Sequence, residues 1–166
     1  MFTEKTVKEL SQVLGEKLAL AGLVATTAES CTGGGVAYAI TEISGSSLWF
    51  DRSFVTYSND AKTQMLGVDA NVIHEFGAVS EQVVNAMAIG AIKNSDADIS
   101  VAISGIAGPG GGTPEKPVGT VCIAWYNAHS GHKTKTYLFV GDRTEVRAQA
   151  IRLALLGLIE SIDTHF

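Results

Sequence analysis

The chain has only two cysteines among its 166 residues, Cys31 and Cys122, which are too few for a disulfide scaffold or a zinc cluster. No apolar run reaches the roughly 18 residues needed to span a bilayer, and the N-terminus lacks the pattern of a signal peptide. Acidic residues outnumber basic ones, and the resulting net charge of −5 argues against a broad nucleic-acid-binding surface. These absences favour a cytoplasmic protein that binds neither nucleic acid nor membrane.

Hydrophobic residues make up 46% of the chain and charged residues 17%, which is typical of a well-buried globular protein. A chain of this length forms one compact domain by default, and it has neither an internal repeat nor a linker-like stretch. We therefore expect a single domain over residues 1–166. Its acidic charge still allows a small anionic ligand, because a local pocket can be positive.

Hydrophobic periodicity predicts strands that alternate with helices. The predicted strands are 23–28, 52–57, 99–104, 118–126 and 133–140, and the predicted helices are 7–20, 32–43, 59–66, a short turn at 68–76, 81–93 and 142–162. The predicted helix boundaries are Thr3 and Ser80 as N-caps, Gly22 as a helix end, and a capping box at 142–145. This alternation, with one hairpin between the last two strands, predicts a three-layer α/β/α domain with a mixed sheet.

Residues 28–35, with the sequence AESCTGGG, connect a predicted strand to a predicted helix. Ser30 in such a turn is either a helix cap or an exposed nucleophile. The run Gly33–Gly35 favours a ligand that approaches the backbone, since capping does not require three glycines. Cys31 competes as a nucleophile, because a helix N-terminus lowers a thiol pKa, or it is a small buried hydrophobe.

A hydroxyl nucleophile needs a base, and no histidine of this chain is well placed to serve as one. The four histidines, His74, His129, His132 and His165, lie in segments that we expect to be exposed. The i, i+3 spacing of two of them suits a metal, but no third ligand accompanies them. A histidine-based triad is therefore disfavoured.

A buried lysine is the alternative base, because burial favours its neutral form. The segment 57–62 supplies Lys62, about one turn into a helix that Ser58 would cap, and Tyr57 just before the cap. A lysine on a short helix is more commonly a solvated surface residue. Only proximity to Ser30 across the sheet would make it a base.

Residues 105–114 form the longest predicted loop, at the C-terminal end of a buried strand, where α/β sheets usually bind ligands. The loop fits neither the dinucleotide-binding nor the P-loop pattern. It is either a flexible surface turn or a backbone wall around a phosphate or a sugar, to which Ser104 could add a hydroxyl.

Arg143 and Arg147 lie in the first turns of the last predicted helix, where a cation opposes the helix dipole. Arg143 at this position either binds an anion or pairs with Asp142 or Glu145.

Five ordered motifs resemble the CinA C-terminal domain family, the bacterial nicotinamide-nucleotide amidohydrolases. They are TAESCTGG at 27–34, FVTYSNDAK at 54–62, GAVS at 77–80, SGIAGP at 104–109 and KPVGTV at 116–121. The similarity covers essentially the whole chain. The chain resembles the stand-alone form of the family, because it lacks the additional N-terminal domain of longer members.

The resemblance implies hydrolysis of the carboxamide of nicotinamide mononucleotide (NMN) to nicotinate mononucleotide and ammonia, within pyridine-nucleotide recycling. It implies Ser30 as nucleophile, Lys62 as general base, and Tyr57 as the residue that completes their hydroxyl network. The implied substrate-binding residues are Thr32, Gly33 and Gly34 around the oxyanion, and Ser104, Gly105, Gly108 and Arg143 around the ribose phosphate.

The resemblance also implies no metal and no cofactor, and a homo-oligomer. Two alternatives stay open beside the amidase. One is a non-catalytic module that binds a nucleotide or docks a partner, and the other is an amidase for a different small amide.

Overall fold

The computed structural model describes residues 4–163, which are built around a five-stranded sheet. The strands are β1 (Ala25–Glu29), β2 (Phe50–Val55), β3 (Ile99–Gly105), β4 (Thr120–Asn127) and β5 (Gly131–Leu138). Their order in the sheet is β2-β1-β3-β4-β5. The first three neighbours run parallel, and β4 and β5 are antiparallel to their neighbours. The predicted mixed sheet is thus confirmed.

Helices cover both faces of this sheet. They are α1 (Val7–Ala21), α2 (Gly35–Thr41), α3 (Asn59–Leu66), α4 (Ala70–Phe76), α5 (Glu81–Lys93) and α6 (Arg143–Asp163). Buried residues of α1, α2 and α6 form one apolar core, and those of α3, α4 and α5 form a second. Strand β3 serves both, since Val101 and Ile103 face the first core and Ala102 the second. The α/β fold class is confirmed, and no helix between residues 4 and 163 is long and apolar enough to cross a membrane.

The predicted element boundaries hold where capping groups define them. Ser80 caps α5 through the Val83 N–H, and the Asp142–Glu145 capping box opens α6. Helix α1 ends at Gly22 as expected, whereas its N-cap is Thr6. Thr3, the predicted cap, lies outside the described residues.

Helix α2 begins three residues later than predicted. Gly33 and Gly34 have φ angles of 59° and 94°, which lie in the left-handed region and cannot continue a right-handed helix. The chain from Ser30 to Gly34 is therefore a tight turn, in which residues 30–32 are buried, Gly33 is exposed and Gly34 is partly exposed.

The parallel strands bring three polar positions to one edge of the sheet. Ser30 and Thr56 directly follow β1 and β2, and Ser104 is the penultimate residue of β3. The N–H of Ser30 donates to the Ile103 carbonyl at 3.0 Å, and the N–H of Thr56 donates to the Glu29 carbonyl at 2.8 Å. This is the edge at which open α/β sheets bind their ligands.

Candidate active site

Lys62 reaches across the edge of the sheet to Ser30. Its Nζ donates to Ser30 Oγ at 3.1 Å and to the Thr56 carbonyl at 2.9 Å. Helix α3 carries it there, because Ser58 caps the helix through the Ala61 N–H and Lys62 shares a face with core residue Leu66 one turn later. Lys62 is 1% exposed, and Ser30 is 8% exposed. Lys62 is thus not a solvated surface residue, and it has the proximity to Ser30 that a role as base requires.

Burial lowers the pKa of the Lys62 ammonium below its ordinary value, because the charged form loses its hydration. Within residues 4–163, no carboxylate forms an ion pair with it that would restore the charge. A neutral amine at 3.1 Å from a hydroxyl can accept the proton of that hydroxyl. The pair thus has the geometry of a nucleophile and its base.

Glu29 is the residue of this site that the sequence reasoning missed. Its fully buried carboxylate accepts the N–H groups of Val36 and Ala37 at 2.9 and 3.0 Å, and the hydroxyl of Thr32 at 2.7 Å. It thereby caps α2, whose N-cap residue Gly34 has no side chain to do so. Of the two alternatives left open for Ser30, the structure therefore does not show the helix cap. The available signal was an acidic residue in a buried strand ahead of a helix that begins with glycines.

Replacing Glu29 by glutamine is expected to lower the free energy of unfolding by about 1–3 kcal/mol. One carboxylate oxygen accepts from Val36 and the other from Ala37, whereas a glutamine side chain turns an N–H₂ group towards one of these donors. Urea unfolding would measure the loss. Glu42→Gln is the matched control, since the one ion pair of that exposed carboxylate within residues 4–163 is with Lys8. Equal stability of the two variants would contradict this role for Glu29.

Cys31 is buried in the core shared by α1, α2 and α6. Burial raises the pKa of its thiol to about 11, so the thiol stays protonated at neutral pH. Only the thiolate is a strong nucleophile. The geometry therefore favours the small buried hydrophobe over the competing nucleophile.

Replacing Cys31 by alanine is expected to leave the catalysed rate nearly unchanged, because the neutral thiol takes no part in the reaction. Iodoacetamide at pH 8 is likewise expected to label the native protein slowly, since it reacts with thiolates. Steady-state rates and mass spectrometry would measure both effects. Loss of activity in Cys31→Ala with full activity in Ser30→Ala would reverse the assignment.

The turn after Ser30 presents backbone N–H groups. The Gly33 N–H is occupied by the Ser30 carbonyl and the Gly35 N–H by the Thr32 carbonyl, each at 3.0 Å. Among the described residues, the N–H groups of Thr32 and Gly34 have no acceptor. Of the residues expected around an oxyanion, these two therefore have an unoccupied donor, and Thr32 is fully buried whereas Gly34 is partly exposed.

Tyr57 does not join Ser30 and Lys62. Its side chain is 62% exposed, and its hydroxyl accepts a hydrogen bond from Arg143 Nη2 at 3.1 Å. No hydrogen bond to Ser30 or Lys62 is found for it in residues 4–163. Thr56 occupies the position beside Ser30, and successive residues of an extended chain point to opposite sides.

The residues expected around the ribose phosphate fall into two groups. Ser104 is buried next to Ser30 in the sheet, as the pairing of Glu29 with Ile103 requires. Packing requires glycine at positions 105 and 108, because a Cβ on Gly105 would lie 2.7 Å from Val121 and a Cβ on Gly108 would lie 2.5 Å from Val118.

Arg143 connects two segments at the mouth of the site. Its Nη1 donates to the Gly108 carbonyl at 2.8 Å, in addition to the bond to Tyr57. It forms no ion pair with Asp142 or Glu145, whose carboxylates accept from each other's backbone N–H groups. A cleft of about 400 Å³ lies beside it, lined by Ala107, Pro109, Val118 and residues 141–144.

The histidines lie apart from this site. His74, His129 and His132 are exposed, as expected, and His129 Nε2 lies 3.4 Å from Asp98 Oδ1. His165 is outside the described residues. Between residues 4 and 163, no group of three or more histidine, cysteine, aspartate or glutamate side chains is placed to hold a metal ion.

Comparisons with known proteins agree on one family. The sequence model of the CinA C-terminal domain matches residues 7–162. The chain is 54% identical, over 94% of both chains, to the nicotinamide-nucleotide amidohydrolase PncC of Escherichia coli K12. It is 49% identical to the PncC of Pseudomonas putida over 93% of this chain and 96% of that protein. The crystal structure of competence/damage inducible protein CihA from Agrobacterium tumefaciens superposes with a TM-score of 0.92 at 45% identity, covering 95% and 96% of the two chains.

Proposed function

Because this chain belongs to the CinA C-terminal domain family, we propose that it hydrolyses the carboxamide of NMN to nicotinate mononucleotide and ammonia, in pyridine-nucleotide recycling. The observation that carries the proposal is the buried Lys62 Nζ at 3.1 Å from Ser30 Oγ. The names of the similar PncC proteins support the choice of substrate. Homo-oligomerisation and independence from metal and cofactor stay predictions from the family resemblance.

The proposed reaction is acyl transfer through Ser30. Neutral Lys62 takes the proton of the Ser30 hydroxyl as Oγ bonds to the carboxamide carbon, which gives a tetrahedral oxyanion. The resulting Lys62 ammonium returns the proton to the amide nitrogen, the C–N bond breaks, and ammonia leaves an ester on Ser30. Water then attacks the ester carbon with Lys62 again as base, releasing the carboxylate and restoring Ser30.

The N–H groups of Thr32 and Gly34 are the donors that we assign to the oxyanion. A preorganised donor of this type is typically worth about 3 kcal/mol in the transition state. Glu29 holds these residues in place, since its carboxylate binds the Thr32 hydroxyl and the first turn of α2. Tyr57 is assigned to the mouth of the site, through its bond to Arg143.

Turnover of three related amides tests this function. Ammonia release would be measured on NMN, nicotinamide riboside and nicotinamide without added metal, with the acid product identified by mass spectrometry. We expect NMN to have the highest kcat/KM. Faster turnover of either other amide would assign the site to a different substrate, and tight NMN binding without turnover would indicate a non-catalytic module.

A further inference from the structure

Two guanidinium groups lie at the N-terminus of α6 without a carboxylate partner. Arg143 and Arg147 are four residues apart and thus share one face of the helix. Within residues 4–163 neither forms an ion pair, and the nearby acidic residues Asp142 and Glu145 are engaged with backbone N–H groups. The positive end of the helix dipole adds to this charge. An anion is the ligand that such an arrangement favours.

The two arginines differ in how their donors are used. Arg143 bridges two protein acceptors, the Gly108 carbonyl and the Tyr57 hydroxyl, and so connects the loop at 105–114 to the end of β2. Arg147 makes one such bond, from Nη2 to the Thr32 carbonyl at 3.2 Å. Its Nε is buried and has no hydrogen-bond partner among the described residues. That atom is closed to solvent, but Arg147 as a whole is partly exposed, and its guanidinium has further N–H donors for a ligand oxygen.

Arg147 is also within reach of a substrate held at Ser30. Its contact, Thr32, is two residues from Ser30, so their Cα atoms are at most about 7 Å apart. The turn continues past Thr32 without side chains at Gly33 and Gly34, and a Cβ at Gly33 would lie 3.6 Å from Arg147 Nη2. The guanidinium therefore lies against the exposed glycine backbone of the same turn that carries the nucleophile.

We propose that Arg147 binds the phosphate monoester of the substrate, and that Arg143 instead holds Tyr57 and the 105–114 loop in position. The identity of the nucleotide rests on the proposed function, whereas the phosphate site does not. A planar guanidinium pairs with two phosphate oxygens at once, which favours an arginine with donors to spare. This assignment moves the phosphate contact from Arg143, where the family resemblance puts it, to the next turn of α6.

Calorimetric titration with inorganic phosphate tests the site without any turnover. Arg147→Met is expected to weaken phosphate binding by roughly 10- to 100-fold, since it removes charge-assisted hydrogen bonds. Arg143→Met is expected to retain most of the binding. The control is Arg52→Met, because that exposed guanidinium pairs with Asp51 on β2, away from the site. Equal phosphate affinity of the wild type and Arg147→Met, or no binding to the wild type, would overturn the proposal.

Kinetics with a phosphorylated and an unphosphorylated substrate separate binding from positioning. Arg147→Met is expected to raise KM for NMN and to lower kcat/KM for NMN far more than kcat/KM for nicotinamide riboside, whereas Arg143→Met lowers kcat for both. Equal losses on both substrates in Arg147→Met would reduce Arg147 to a support for the Thr32 carbonyl. Arg147→Lys should recover phosphate binding in part, which separates the charge from a folding defect. If no substrate turns over, the proposed function fails and the titration still decides the phosphate site.

Discussion

Replacing Ser30 by alanine is expected to lower kcat for ammonia release from NMN by at least about 1,000-fold, since loss of a nucleophile removes the covalent route. The alanine lacks the oxygen that would form the ester, and Lys62 then has no hydroxyl to deprotonate. Substrate affinity should change little, because Ser30 contributes one small hydroxyl to the site. Steady-state ammonia release and equilibrium titration with NMN would measure the two effects.

The exposed Ser47 supplies the matched control, and Ser47→Ala should keep full activity. Hydroxylamine adds a direct check on the intermediate. An ester on Ser30 of the wild type would be diverted to the hydroxamate, and Ser30→Ala should form none. Unchanged turnover in Ser30→Ala would remove Ser30 from the mechanism.

Replacing Lys62 by methionine is expected to lower kcat by at least about 100-fold, because general-base catalysis typically contributes 10²–10⁴-fold. Methionine keeps an unbranched chain in the buried position but has no basic nitrogen. In the wild type only neutral Lys62 is active, so kcat/KM should fall about tenfold per pH unit below the depressed lysine pKa. A pH series on wild type and variant would measure both predictions.

Burial of Lys62 should also make the folding stability of the wild type depend on pH. The pKa of Lys62 is lower in the folded than in the unfolded chain, where it is about 10.4, so the unfolded chain binds more protons. The wild type therefore loses stability as pH falls from the unfolded pKa to the folded one. Lys62→Met removes this loss and should gain stability relative to the wild type over that range, while remaining inactive. Lys93→Met, at the exposed end of α5, is the control. If the difference in stability between Lys62→Met and the wild type did not change with pH, the burial argument would be contradicted.

Secondary structure could be predicted where the signals are local. Ser80 and the Asp142–Glu145 box set the starts of α5 and α6 through bonds to residues three positions away, and these starts hold in the structure. The start of α2 was wrong for a physical reason. Its capping group is the Glu29 carboxylate, six residues before the helix and on the neighbouring strand, which no local capping rule includes.

The candidate site divides in the same way. The sequence marked Ser30, Lys62 and Arg143 as chemically capable, and the family motifs assigned their roles. The family resemblance implied a network of Tyr57 with Ser30 and Lys62, whereas in the structure the Tyr57 hydroxyl accepts a hydrogen bond from Arg143. The sequence alone also indicated no contact for Arg147, whereas in the structure its Nη2 donates to the Thr32 carbonyl.

By itself, the sequence determined an acidic α/β chain in which α5 and α6 begin at recognisable caps and a glycine-rich turn follows a strand. These properties depend on residues within one or two turns of each other. Only the tertiary structure decided that Lys62 is buried against Ser30, because 32 positions separate them and the parallel sheet brings their segments to one edge. Burial then decides the chemistry, since the same lysine in water would stay charged and could not act as a base.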